Sequence, residues 1–215
     1  LAEVAVGSPA YPSGITSEGA VAVFSGGGGV LLWRTVGATG TASGTSLANI
    51  GDADGDGFDD LIAGAPYDLI GGQGAVHLLS GLTGQVLWTR TGGSVVPPGV
   101  PILLFGLMVD AVGDVNGDGY GDVWVAGGDL LGSFGTILSG RDGSTLRIHN
   151  AYNSRRYPLR ACAIGDRDGD GYDDYAFGSP EDFTSGYPVS TYFGSITLVS
   201  GFTGQPFLIV EGEHV

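Results

Sequence analysis

Short apolar runs alternate with glycine-rich turns along the 215 residues, and no stretch carries the 3.6-residue period of a helix. One pattern occurs four times: a short apolar strand, Ser-Gly, and a tight turn closed by Gly. It reads GAVAVFSGGGG (19–29), GAVHLLSGLTG (74–84), FGTILSGRDG (134–143) and GSITLVSGFTG (194–204). A further apolar segment follows each turn: VLLWR (30–34), QVLWT (85–89), STLRI (144–148) and QPFLI (205–209). Two strands about a glycine-bounded turn predict a hairpin. The serines Ser25, Ser80, Ser139 and Ser200 are 55, 59 and 61 residues apart, which sets the repeat length.

Upstream of each hairpin lies another strand: EVAVGSP (3–9), DLIAGAP (60–66), DVWVAGG (122–128) and DYAFGSP (174–180). TSLANIGD (45–52), LMVDAVGD (107–114) and RACAIGD (160–166) predict one more strand before the last three. Each unit therefore has about four strands. All-β, Gly-punctuated units of this length predict four-stranded antiparallel blades of a β-propeller, three full repeats plus one partial. The blades are expected over about 1–44, 45–93, 94–150 and 151–215. The insertion 92–106 is expected to be a loop because of its prolines.

Between the first two strands of three units the acids cluster: DADGDGFDD (52–60), DVNGDGYGD (114–122) and DRDGDGYDD (166–174), all fitting D-x-[DN]-G-D-G-x-x-D. Alternate side chains that converge, with a bend-permitting glycine at position six, wrap a hard cation. The expected ligands of the first loop are Asp52, Asp54, Asp56 and Asp60, with the Phe58 carbonyl. The second offers Asp114, Asn116, Asp118 and Asp122 with the Tyr120 carbonyl, and the third Asp166, Asp168, Asp170 and Asp174 with the Tyr172 carbonyl. Oxygen-only donors favour Ca²⁺ over zinc or copper, and magnesium prefers to keep its waters. Acidic turns alone are the plain alternative, but three copies at one place in the repeat argue against it. An EF-hand needs a Glu at position twelve and flanking helices, whereas Ala63, Val125 and Phe177 stand there in predicted strands.

The chain has 23 acids, eight arginines, no lysine and a formal net charge of −15, which disfavours nucleic acid and anionic lipid as partners. Eleven of those acids are the proposed ligands, so three Ca²⁺ ions would bring the charge to −9. No apolar run reaches the ~20 residues of a membrane span. Cys162, the sole cysteine, excludes an internal disulfide and is expected to be buried.

These strand–acidic loop–strand units resemble the FG-GAP repeats of integrin α-subunits and of secreted bacterial proteins. The resemblance is carried by the three loops, Phe105–Gly106, Gly64–Ala65–Pro66 and Gly178–Ser179–Pro180. It implies a calcium-bearing propeller, extracellular or at the cell surface, in adhesion or ligand binding. Aligning EVAVGSP with DLIAGAP puts Glu3 at position nine of a partial fourth loop that begins within the motif. A fragment of a larger propeller is the favoured expectation. A closed four-bladed ring, or assembly between copies by strand complementation into a filament or surface layer, are the others.

Signs of catalysis are few. His77 lies in a predicted strand, His149 in a predicted loop and His214 near the C-terminus, with no nucleophile motif beside them. The expected partners are protein or glycan ligands, or copies of the chain; a calcium-dependent polysaccharide lyase is the enzymatic alternative. HNAYNSRRYPLR (149–160), with Arg155, Arg156 and Arg160, is a candidate contact for an acidic glycan. Trp33 and Trp88 take equivalent outer-strand positions and are expected to pack between blades.

Overall fold

The computed structural model describes residues 2–11, 17–68, 73–95, 104–129, 132–151, 160–182 and 193–212. The described part of the first unit forms a three-stranded sheet of β1 (Val4–Ser8), β2 (Ala20–Phe24) and β3 (Leu31–Val36). Three four-stranded antiparallel sheets follow. The second holds β4 (Ser46–Gly51), β5 (Asp60–Ala65), β6 (Ala75–Leu79) and β7 (Val86–Thr91). The third holds β8 (Met108–Gly113), β9 (Asp122–Asp129), β10 (Gly132–Leu138) and β11 (Thr145–Ala151). The fourth holds β12 (Ala161–Gly165), β13 (Asp174–Asp182), β14 (Phe193–Val199) and β15 (Pro206–Glu211). Each sheet runs in chain order, an up-and-down meander as a propeller blade requires.

The hairpin turns share one construction. The N–H groups of Gly29, Gly84, Gly143 and Gly204 donate to the carbonyls of Ser25, Ser80, Ser139 and Ser200 at 2.7–2.8 Å. Those glycines have φ of +64° to +72°, a region that side chains with a Cβ disfavour. The register of each hairpin slips by one residue just before the turn, the bulge expected of such a loop.

Three hydrophobic clusters fill the spaces between successive sheets. Val21 and Val23 meet Leu61, Ala63 and Leu79. Ile62, Val76 and Leu78 meet Val109, Val123, Val125 and Leu138. Trp124, Ala126 and Ile137 meet Tyr175 and Val199. A blade thus uses both faces, one for each neighbour, which is why Ala63 and Ile62, adjacent in β5, are both fully buried.

Three sequence expectations differ in detail. Gly92–Val95 forms one helical turn (α1) where a loop was predicted, and Phe105 at the far end of that insertion is buried and stacks on Phe134. Both described ends of the insertion pack, while its prolines lie outside the described residues. His149 lies in β11, not in a loop, because the strand extends past the apolar run. Cys162 is exposed rather than buried, since it sits on the outward face of the fourth sheet, where the described residues place nothing against it. Arg155, Arg156 and His214 lie outside the described residues.

Candidate metal centres

The three acidic loops join β4 to β5, β8 to β9 and β12 to β13, so all three lie at one end of their blades. Their internal hydrogen bonds repeat residue by residue. Oδ1 of Asp52 accepts the N–H groups of Gly55 and Asp56, and its Oδ2 accepts that of Gly57. Asp114 does the same with Gly117, Asp118 and Gly119. Asp166 does so with Gly169, Asp170 and Gly171. Position three caps position five: Asp54 accepts from Asp56, Asn116 from Asp118 and Asp168 from Asp170. Position five then accepts from the N–H of Phe58, Tyr120 or Tyr172. Glycines at positions four and six sustain φ between +72° and +92°.

The carboxylates are brought close. Asp52, Asp54 and Asp56 present oxygens within 4.8 Å of one another, and Asp166, Asp168 and Asp174 do likewise. These are acidic clusters that could bind a metal, with donors of the hard oxygen type throughout. In the second loop Asn116 takes one carboxylate away, and its amide Nδ2 donates to Asp118 at 3.1 Å.

Position nine has a second role that the motif does not announce. Asp60, Asp122 and Asp174 are fully buried. Oδ2 of Asp60 accepts the N–H groups of Ala53 and Asp54, while its Oδ1 accepts that of Gly81 at 2.8 Å. Asp122 spans Val115 and Gly140, and Asp174 spans Arg167 and Gly201. Each therefore ties its loop to the hairpin turn of the same blade. Burial pushes the Asp122 carboxyl up to about 7 against the lowering effect of those two N–H donors, and burial also raises Asp60.

Hairpin turns are also held by the preceding blade. The indole Nε1 of Trp33 donates to the Gly81 carbonyl at 2.7 Å, and that of Trp88 to Gly140 at 2.9 Å. At the equivalent place Arg147 Nη2 donates to Gly201 and Phe202. A Cβ at Gly84, Gly143 or Gly204 would run into Trp33, Trp88 or Arg147, so these glycines provide the space for the contact. Loops two and three are joined directly: Asp173 accepts the N–H of Asp114 at 2.9 Å and donates its own N–H to the Asp114 carbonyl.

Near Glu3 the first sheet reproduces part of this frame. The Ala2 carbonyl abuts Gly26 as those of Asp59, Gly121 and Asp173 abut Gly81, Gly140 and Gly201, which sets Glu3 level with position nine. Glu3 itself is exposed, unlike its three counterparts.

Comparison with known proteins gives the same picture. Residues 43–79 match the FG-GAP repeat. The chain is 35% identical to frog (Xenopus laevis) integrin α-5 over 99 residues, 43% of this chain and 8% of the relative. It is 30% identical to bovine (Bos taurus) integrin α-2 over 142 residues, 62% of this chain and 12% of the relative. A stretch of 89 residues is 43% identical to Drosophila melanogaster integrin α-PS2, 37% of this chain and 6% of that one. The chain thus spans about a tenth of the length of these relatives. The solved structure of the Dos1 propeller superposes with a TM-score of 0.50 at 13% identity, over 91% of this chain and 44% of that one, a likeness of fold alone. No described helix is long and apolar enough to cross a membrane. The chain thus carries a segment that matches the FG-GAP repeat, is similar over part of its length to integrin α subunits, and has the bladed architecture of a β-propeller.

Proposed function

We propose that the chain is an extracellular calcium-binding propeller segment that serves as an adhesion, ligand-binding or scaffold module. The supporting observation is the repetition of one loop geometry at one end of three blades, with clustered carboxylates and a shared hydrogen-bond pattern. Asp52, Asp54, Asp56, Asp60 and the Phe58 carbonyl would hold the first ion. Asp114, Asn116, Asp118, Asp122 and the Tyr120 carbonyl would hold the second. Asp166, Asp168, Asp170, Asp174 and the Tyr172 carbonyl would hold the third. Calcium would supply charge neutralisation to loops whose paired acids otherwise repel one another by about 1 kcal/mol even in water. Partial loops of this kind suit the millimolar calcium found outside cells. The bound ions cement structure instead of promoting a reaction, and turnover of a uronic-acid polymer would reverse that assignment. Titration calorimetry with calcium tests the proposal: three equivalents are expected, with one lost in each of Asp52→Ala, Asp114→Ala and Asp166→Ala. Absence of calcium binding at millimolar concentration would end it.

The blades of this segment are assigned to about 1–44, 45–93, 94–150 and 151–215, within a larger propeller or assembly. Exposure of the two outer faces favours that reading. Val4 and Val6 are 53% and 44% exposed, whereas their second-blade counterparts Leu61 and Ala63 are buried. At the other end the row Cys162–Ala176–Leu198–Leu208 corresponds to Ala48–Ile62–Leu78–Trp88, which packs on the third blade. Further blades, or further copies, would cover both. Analytical ultracentrifugation of the 215-residue chain separates the two, since only the second gives a particle larger than a monomer.

A further inference from the structure

Between the second and third acidic loops lies a cleft of about 240 Å³, lined by Val115, Asn116, Leu146, Arg147, Tyr172 and Phe202. It draws on both the third and the fourth blade, so no single repeat contains it. Tyr172 and Phe202 stack at 4.9 Å with 28° between their planes, and form one aromatic wall. Phe202 is 60% exposed, so its ring is offered to solvent instead of serving the core. Tyr172 also rests against Gly117, where a Cβ would strike the ring. Arg147 borders the cleft with its guanidinium, of which only Nη2 is drawn to the Gly201 and Phe202 carbonyls.

The charge of this lining stands apart from the rest of the molecule. The chain carries −15, and its acids crowd the very loops that flank the cleft, yet the lining holds one cation and no carboxylate. The reason is a single residue. Position three is Asp54 in the first loop and Asp168 in the third, but Asn116 in the second, and Asn116 is the copy that faces the cleft. The same turn position that gives Phe202 gives Gly27, Leu82 and Arg141 in the first, second and third blades. Arg141 there lies over Tyr120, 5.5 Å from the ring centroid, so the open aromatic wall belongs to this junction among the described ones.

We propose that this cleft binds a uronic-acid residue of an acidic polysaccharide. A pyranose ring presents a flat C–H face to the Tyr172–Phe202 wall, the carboxylate meets the Arg147 guanidinium, and the Asn116 amide borders the ring hydroxyls. A planar cation and an amide beside an aromatic wall recognise such a group better than a bare point charge would. The reading gives the adhesion module a ligand class and rests on that module's being a binding protein. It does not depend on residues 152–159.

The test is titration of the calcium-saturated chain with a short oligogalacturonate, with a neutral galactan oligomer and an oligoglutamate peptide as comparators. Saturable binding of the oligogalacturonate is expected, at least tenfold tighter than of the other two. Asn116→Asp places a carboxylate in the lining while restoring the residue the other loops carry, and should weaken that binding about tenfold or more; calcium binding is recorded for the same variant because Asn116 is also an expected ligand of the second ion. Phe202→Ala, an exposed position, should weaken it similarly. Wild-type affinity in both variants, or no binding of the oligogalacturonate at all, overturns the proposal. Equal or tighter binding of the oligoglutamate overturns it in favour of a protein ligand. A calcium-dependent melting shift recorded on the same samples keeps the metal reading separate: a chain that responds to calcium but ignores uronate refutes the cleft alone.

Discussion

Oδ1 of Asp122 accepts the N–H of Gly140 at 3.2 Å across the top of the third blade, while its other oxygen accepts that of Val115 at 3.0 Å. One buried carboxylate therefore fixes the acidic loop against the hairpin turn 18 residues further on. The same bridge exists at Asp60 and Asp174, which makes position nine of the motif a structural hub as well as an expected ligand.

From that geometry, Asp122→Ala should destabilise the fold even with all metal chelated. It leaves two buried N–H donors without their acceptor, at about 1–3 kcal/mol each. Asp118→Ala, on the outer side of the loop, should cost less under the same conditions. Urea denaturation in EDTA measures both, and equal midpoints would refute the hub.

Calcium should raise the melting temperature, and EDTA should lower it, because the ion removes repulsion among the clustered acids. Differential scanning calorimetry with and without chelator checks this. Identical transitions would mean that the loops stand without metal.

Removing the indole donor between blades should also be felt. Trp88→Phe keeps the ring packing but leaves the Gly140 carbonyl without its side-chain partner, a loss of about 0.5–1.5 kcal/mol. Trp33→Phe should do the same at Gly81. Chemical denaturation midpoints that match the wild type would show these bonds to be idle.

Glycines of similar backbone conformation should differ in their tolerance of a methyl group. Gly55 has φ of +82° with open space around its absent Cβ, so Gly55→Ala should cost only the left-handed penalty of about 1–2 kcal/mol. Gly84 has φ of +72° and the Trp33 ring above it, so Gly84→Ala should cost clearly more. Thermal melts of the two variants decide, and the reverse order would contradict the packing between blades.

Stability should also fall in mild acid through His149. Its Nε2 lies 2.8 Å from the Tyr175 hydroxyl, and its ring packs beside Trp124 and Phe177. Burial first, and the charge of Arg147 second, push its value down to about 4 from the ordinary 6.5. The unfolded chain takes up a proton as pH drops through about 6.5, whereas the folded chain does so only near 4. The stability that the neutral ring contributes is therefore complete above 6.5 and is lost between 6.5 and 4, a change of about 1–3 kcal/mol. Comparing His149→Gln with wild type across that range isolates it, and parallel pH profiles would rule it out.

Much of this molecule was written locally. The four repeats, the hairpins about Ser-Gly-x-x-Gly and the three acidic loops follow from residues close together in the chain. A positive φ at Gly84 or a carboxylate that accepts three N–H groups within the next five residues needs no distant partner. Contacts between blades were written less plainly. Trp33 and Trp88 looked like packing residues by their equivalent places, but the carbonyls they reach lie 48 and 52 residues away. Nothing in the motif marks Asp60, Asp122 and Asp174 as buried, because that depends on a turn brought over them by the sheet.

What the sequence by itself determined is the blade and its acidic loop, since both are closed by interactions within a few residues or within one meander. Only the tertiary structure decided which surfaces stay open and which residues share a cleft. Cys162 is exposed because the described residues place no sheet on its face, and Asn116, Arg147, Tyr172 and Phe202 meet because two blades lie side by side. Such contacts arise from the rotation of one sheet against the next, a quantity that no single repeat encodes.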